Sequence, residues 1–175
     1  MPRPADPTPR SLPDMPDVGG DDAYVARVID VALRNVTHEG GPFGAIVIGP
    51  DGAEVTRGGN RVTSTLDPTA HAEVTAIRSA CQALGDFSLE GHTLYASCEP
   101  CPMCLAACLW ARLDRVVFAA DRHAAHRAGF DDRAFHGLFR IDLDASWPVR
   151  VVHRPHPRSD EPFEAWRALA DRVEY

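Results

Sequence analysis

The alternation of apolar and polar positions divides most of the chain into helices and strands. Behind Asp21 or Asp22 as a cap, apolar residues recur at helical spacing (Tyr24, Val25, Val28, Ile29, Ala32, Val36) up to a Gly40 stop, which predicts a first helix. "FGAIVIGPDGAEVTRGGN" reads as two short strands around a Pro-Asp-Gly turn, paired antiparallel, the first apolar on both faces and therefore central. From His71, "HAEVTAIRSACQAL" puts Val74, Ile77, Ala80, Cys81 and Leu84 on one helical stripe that ends at Gly85. A strand at 93–98 (TLYASC), a helix at 101–113 with Pro102 in its first turn, and a strand at 115–120 (RVVFAA) follow.

Two strands joined through a helix run parallel with a right-handed crossover, so the order predicts a three-layer α/β/α domain around a mixed sheet. The sheet is expected to hold about five strands, with 149–153 (VRVVH) as the fifth. Residues 161–173 (EPFEAWRALADRV) predict a closing amphipathic helix whose stripe of Phe163, Trp166, Leu169, Ala170 and Val173 faces a core. Residues 121–148 have room for one short helix and are otherwise left open by the pattern.

Length and composition narrow the class. At 175 residues the chain reads as one domain, 21–175, able to bury a core without disulfides as its main support. Residues 1–20 contain six prolines and no apolar run, which predicts a disordered tail that is neither a signal nor a transit peptide. No apolar stretch approaches the roughly 20 residues of a membrane span. Five cysteines, an odd number crowded into one part of the chain, fit a reduced compartment, so the expected location is the cytoplasm. A net charge of -7 disfavours nucleic acid as a partner. All 18 basic residues are arginine, which excludes Schiff-base and phosphate-loop lysines; a compositional bias of the source genome accounts for it.

The cysteines carry the chemistry. "SCEPCPMCLAAC" follows ferredoxin-type iron–sulfur spacing until Leu109 stands where that run has proline, so by itself the segment fits iron–sulfur or zinc. On a helix, Cys101 and Cys104 lie at i and i+3 with both sulfurs to one side, near a positive helix end that favours thiolate. A third ligand is available at another helix start. His71 and Glu73 are two residues apart and converge on one site only where His71 is not yet helical. His71, Cys101 and Cys104 then leave a fourth tetrahedral position for water, the layout of a catalytic zinc, with Glu73 beside it as proton shuttle. A single histidine at a helix start is most often a cap, and a single C-x2-C is weak; the combination H-x-E…P-C-x-x-C is the known signature of zinc deaminases. Cys98 and Cys108 become supporting cysteines.

The segments "GGPFGAIV", "DPTAHAEVTAIR", "SCEPCPMC", "WAR", "AGFDD" and "PFEAWRALADRVEY" resemble the bacterial guanine deaminases of the cytidine-deaminase-like superfamily, from about residue 22 to 175. The two metal motifs identify only the superfamily; "AGFDD" and the C-terminal "AWR…EY" point to guanine. The resemblance implies zinc on His71, Cys101 and Cys104, proton transfer by Glu73, and attack at C2 of guanine to give xanthine and ammonia. It further implies that Asn60, Phe43 and Ala72 contact the purine, that Asp132 assists recognition and amino-group departure, and that Trp110 lies near the pocket. Trp110 is equally suited to a core or interface position. Tyr175 resembles a terminal tyrosine that, in a domain-swapped homodimer, closes over the partner's site. An N-terminal extension and a turn longer by one residue near "GPDG" depart from the family pattern.

Three other functions compete. Another small aminated heterocycle or nucleoside (guanosine, a pterin, a triazine or cytosine) fits the same motifs. A tRNA adenosine deaminase shares them and a stretch like "ARLDRVVFAA", but needs a basic surface for which the chain offers only 150–158 (RVVHRPHPR). A zinc-stabilised binding module without turnover would leave Glu73 without a task.

Overall fold

The structure, a computed structural model, describes residues 20–37, 40–130, 133–140, 147–149 and 160–170, with single positions at 151, 154, 158 and 173. Helix α1 (Asp21–Val36) leads into strands β1 (Gly44–Ile48) and β2 (Glu54–Gly59), a one-turn helix α2 (Val62–Thr65), and α3 (Ala72–Leu84). Then come β3 (Thr93–Cys98), α4 (Pro102–Trp110), β4 (Arg115–Ala120), α5 (Arg122–Arg127), α6 (Arg133–Leu138) and α7 (Glu161–Ala168). The sheet order is β2-β1-β3-β4, with β1 antiparallel to both its neighbours and β3 parallel to β4.

The alternation along β1 builds the three layers. Ala45 and Val47 point to one face, where they meet Ala72, Ala76, Ile77 and Ala80 of α3 and Cys108 of α4. Ile46 and Ile48 point to the other, against Tyr24, Val28 and Val31 of α1. A strand covered on both faces must be apolar throughout, and all five β1 residues are buried.

Two glycines set how closely the helices approach. A side-chain carbon on Gly44 would stand 2.7 Å from the backbone nitrogen of Ala32 in α1, and one on Gly58 would stand 2.5 Å from the carbonyl oxygen of Ala72 in α3. Both helices therefore rest directly on strand backbone. For α3 the contact is in the first turn, which fixes the end that carries His71 and Glu73.

The structure departs from expectation in five places. The described sheet has four strands, not about five; Val149 and Val151 are not in strand conformation, and the other residues of 149–153 lie outside the described ones. Helix α1 stops at Val36, before Gly40, because Thr37 donates from both its backbone N–H and its hydroxyl to the Arg34 carbonyl. The short α2, which no apolar stripe announces, lies between the second strand and the metal motif. The described residues of 121–148 hold two short helices, α5 and α6, where the pattern left room for one.

The closing helix is the fifth difference. It spans only Glu161–Ala168, and its stripe does not face a core: Phe163 is 62% exposed and Leu169 49%. Periodicity marks which side of a helix is apolar but not whether anything covers it, and a helix without tertiary support is short.

Candidate active site

The site forms where two helix N-termini meet on one face of the sheet. His71 is the N-cap of α3 (φ -66°, ψ 157°) and Cys101 the N-cap of α4 (φ -67°, ψ 168°), both in extended conformation. Their carbonyls accept the first helical hydrogen bonds, from Thr75 N–H and Leu105 N–H, each at 2.9 Å. The extended conformation of His71 lets its ring turn toward the α4 cysteines, while Glu73, two residues on, follows the helix. Pro102 occupies the first turn of α4, where its missing N–H costs nothing.

The three donor atoms are disposed as three corners of a coordination tetrahedron. The Sγ atoms of Cys101 and Cys104 are 3.6 Å apart, and His71 Nδ1 lies 3.7 Å and 3.5 Å from them respectively. Zinc–sulfur bonds of ~2.3 Å and zinc–nitrogen bonds of ~2.0–2.1 Å in tetrahedral geometry require S···S of about 3.8 Å and S···N of about 3.6 Å. The donor set therefore fits zinc. Among the described residues it is also the only such His/Cys/Asp/Glu cluster, and all three atoms lie within 4.8 Å of one another. Two helix dipoles point their positive ends here. The Cys101 thiol is held well below its usual range, first by the Cys104 thiol hydrogen bond and then by His71.

Glu73 is 8% exposed and approaches Cys104 with its carboxyl. Burial pushes this carboxyl above its ordinary range; the charge of a divalent cation would act in the opposite direction. Cys98 and Cys108 stay out of the triad. Cys98 donates to the Asp121 carbonyl at 3.7 Å, and Cys108 is packed in the core, its thiol pushed up to about 12 mainly by burial. The iron–sulfur alternative loses two of its four sulfurs.

Of the remaining expected site residues, Asn60 is buried, with its backbone N–H donating to the Phe43 carbonyl (3.2 Å) and its Oδ1 accepting from Val62 N–H (3.2 Å). Its side-chain nitrogen donates to no described residue. Phe43 meets Phe130 edge to face at 4.7 Å, which brings Phe130 beside the Phe43 loop. Ala72 is fully buried as the first residue of α3. Trp110 lies at the far end of α4 from the metal ligands, 65% exposed, lining an apolar groove of about 610 Å³ with Val74, Ile77 and Phe87. Asp132 and Tyr175 lie outside the described residues.

Glu99 is a supporting residue that spacing does not announce. In the turn between β3 and α4, it accepts from Arg122 N–H (3.0 Å) and Nε (2.8 Å) and is ion-paired with the same guanidinium, which ties the cysteine-bearing turn to the start of α5. The Arg122 side chain holds the Glu99 carboxyl at about 2, below its reference of 4.5. With its folded value depressed, Glu99 contributes stability that is complete above its unfolded value and is lost as pH falls toward 2. Glu99→Gln should thus show a shallower fall of Tm than wild type between pH 4.5 and 2. Scanning calorimetry across that window checks this, and parallel acid limbs would show that the pair adds nothing.

A tetrahedral His/Cys/Cys donor set at paired helix N-termini, with a buried carboxylate beside it, defines a zinc-dependent deaminase centre. The chain belongs to the cytidine and deoxycytidylate deaminase family, whose zinc-binding region matches residues 20–120. It is similar to guanine deaminase of Bacillus subtilis, at 43% identity over 158 residues, covering 88% of this chain and 98% of that protein. The solved structure of that enzyme superposes with a TM-score of 0.84 at 41% identity, over 89% of this chain and 99% of the other. A guanine deaminase structure from Nitrosomonas europaea gives a TM-score of 0.64 at 28% identity, covering 70% of each chain. The tRNA-specific adenosine deaminase of Agrobacterium fabrum is 47% identical over 79 residues, 45% of this chain and 51% of that protein.

Proposed function

We propose that this protein is a zinc-dependent guanine deaminase that hydrolyses guanine to xanthine and ammonia. The observation that carries the reading is the extent of the likeness. Similarity to the Bacillus subtilis guanine deaminase runs over 88% of the chain and 98% of that protein, whereas similarity to tRNA adenosine deaminases spans 45% to 67% of the chain.

Zinc held by His71, Cys101 and Cys104 would supply a Lewis acid able to lower the pKa of a coordinated water to about 7. Glu73 is the proton carrier: it takes the water's proton and delivers it to the ring nitrogen beside C2. The water oxygen bonds to C2, its second proton passes to the amino group, and the C2–N bond breaks to release ammonia and leave the xanthine carbonyl. Asn60, whose side-chain nitrogen donates to no described residue, hydrogen-bonds the purine. Phe43 packs against its ring, Ala72 lines its seat, and Asp132 assists the leaving amino group.

The working unit is a homodimer in the cytoplasm, with Tyr175 closing over the partner's site. The dimer reading is supported by two apolar surfaces exposed among the described residues, the α7 stripe and the groove beside Trp110. Among the described residues no helix is long and apolar enough to cross a membrane.

Ammonia release from free guanine, adenine, cytosine, pterin and triazine bases, from guanosine and cytidine, and from a tRNA anticodon stem-loop tests the reading. Guanine should be the preferred substrate by a wide margin. Comparable turnover of the anticodon adenosine would replace it with the tRNA-editing function.

A further inference from the structure

The two segments that carry the purine contacts in the proposed reading, Gly40–Phe43 and Gly59–Asn60, are not neighbours in sequence, and one side chain joins them. Asn35, in the last turn of α1, donates from Nδ2 to the Gly41 carbonyl at 2.7 Å and to the Asn60 carbonyl at 2.9 Å. A primary amide nitrogen carries two hydrogens, so both bonds form at once, and only the nitrogen suits two carbonyl partners. The Asn35 backbone carbonyl also accepts from Gly40 N–H at 3.1 Å.

The surroundings are shaped to this carboxamide. A side-chain carbon on Gly40 would lie 2.2 Å from Asn35 Nδ2, and one on Gly59 would lie 2.1 Å from Asn35 Oδ1, so no larger residue fits at either position while the amide stays in place. Gly41 in turn lies against both contact side chains: a carbon added there would be 3.3 Å from Asn60 Cγ and 3.4 Å from the Phe43 ring. Helix α1 is a firm base for the clamp, because its backbone rests on Gly44 and its buried face packs on β1 and β3.

We infer that Asn35 is a positioning residue for the base pocket, holding the Phe43 loop and Asn60 in one fixed relation. The inference rests on the proposed reading in which Asn60 and Phe43 hold the purine. Asn35 touches neither the metal ligands nor, in that reading, the base; it acts through Gly41 and Asn60. Loss of its two donors frees the loops to separate, leaving the Asn60 carbonyl without its donor and the Gly41 carbonyl with only the Phe43 N–H, at 2.8 Å. Small displacements of binding groups cost up to about 10²-fold in rate.

The test compares wild type with Asn35→Ala and with Asn35→Asp, which keeps the shape but has no donor. Guanine kinetics are measured at a temperature where circular dichroism shows each protein folded, with Asn35→Ser replacing any variant that does not fold. Wild-type turnover of guanine decides the proposed function separately from the ratio of variant to wild type. Both variants should bind zinc fully, raise KM roughly ten- to hundredfold and leave kcat within about threefold. In an Asn60→Ala background the same substitution should raise KM by less than it does in wild type, since only its effect through Gly41 and the Phe43 loop remains.

A crystal structure of the Asn35→Ala protein reads the inference without any substrate: Gly41 and Asn60 should move apart while the His71, Cys101 and Cys104 donors keep their separations. Unmoved loops would overturn the inference. So would a lowered Tm with unchanged KM, or effects of Asn35 and Asn60 substitutions that simply add.

Discussion

A Glu73→Gln protein should bind one zinc per chain, fold as wild type does, and release ammonia from guanine about 10²–10⁴ times more slowly. The metal should stay because all three donors, His71, Cys101 and Cys104, are untouched. Turnover should fall because a carboxamide has the size of the carboxyl but cannot accept the proton that the attacking water must lose. Stability should hold or rise, since burial disfavours the charged carboxylate at this position and glutamine carries no charge to desolvate. Metal analysis, thermal melting and ammonia release on one preparation separate these outcomes. More than a few per cent of wild-type activity would mean that another group carries the proton, and zinc loss would mean that Glu73 helps hold the metal.

Removing Glu174 and Tyr175 should reduce guanine turnover by about 10²-fold while leaving zinc content and Tm nearly unchanged. An ordinary chain end is frayed, and trimming two residues from it has little effect. The proposed lid makes the opposite expectation, and the exposed stripe on α7 is consistent with a C-terminal segment that finds its cover on a second copy of the chain. Mixing the truncated chain with full-length Glu73→Gln chain decides the geometry. After subunit exchange, one site of each mixed dimer has a working Glu73 and an intact partner tail, so part of the activity should return. Full activity of the truncated protein alone would remove the lid. An inactive mixture with exchange demonstrated by mass spectrometry would put the tail over its own subunit's site.

The sequence by itself determined the metal centre and most of the frame that carries it. Local signals suffice where a short stretch dictates its own geometry. Pro102 and the C-x2-C spacing set two sulfurs on one helical turn, and the two-residue step from His71 to Glu73 requires His71 to precede its helix, as its extended backbone does. The doubly apolar β1 marked itself as a central strand by the same logic, because only a strand covered on both faces has no need of alternation.

Tertiary structure decided what depends on neighbours distant in the chain. The periodicity of 161–173 marked an apolar side but gave a helix too long, and its described stripe residues are exposed where a core contact was expected, since packing rather than spacing extends and covers a helix. Thr37 ended α1 before the glycine chosen as its stop, through a hydroxyl bond that composition does not signal. Glu99 and Asn35 carry no motif: each matters because of the partner placed opposite it, 23 residues away for Arg122 and 25 for Asn60. A side chain's value as a brace depends on what folding brings to it, which is why the ligands could be read from the chain and their supports only from the fold.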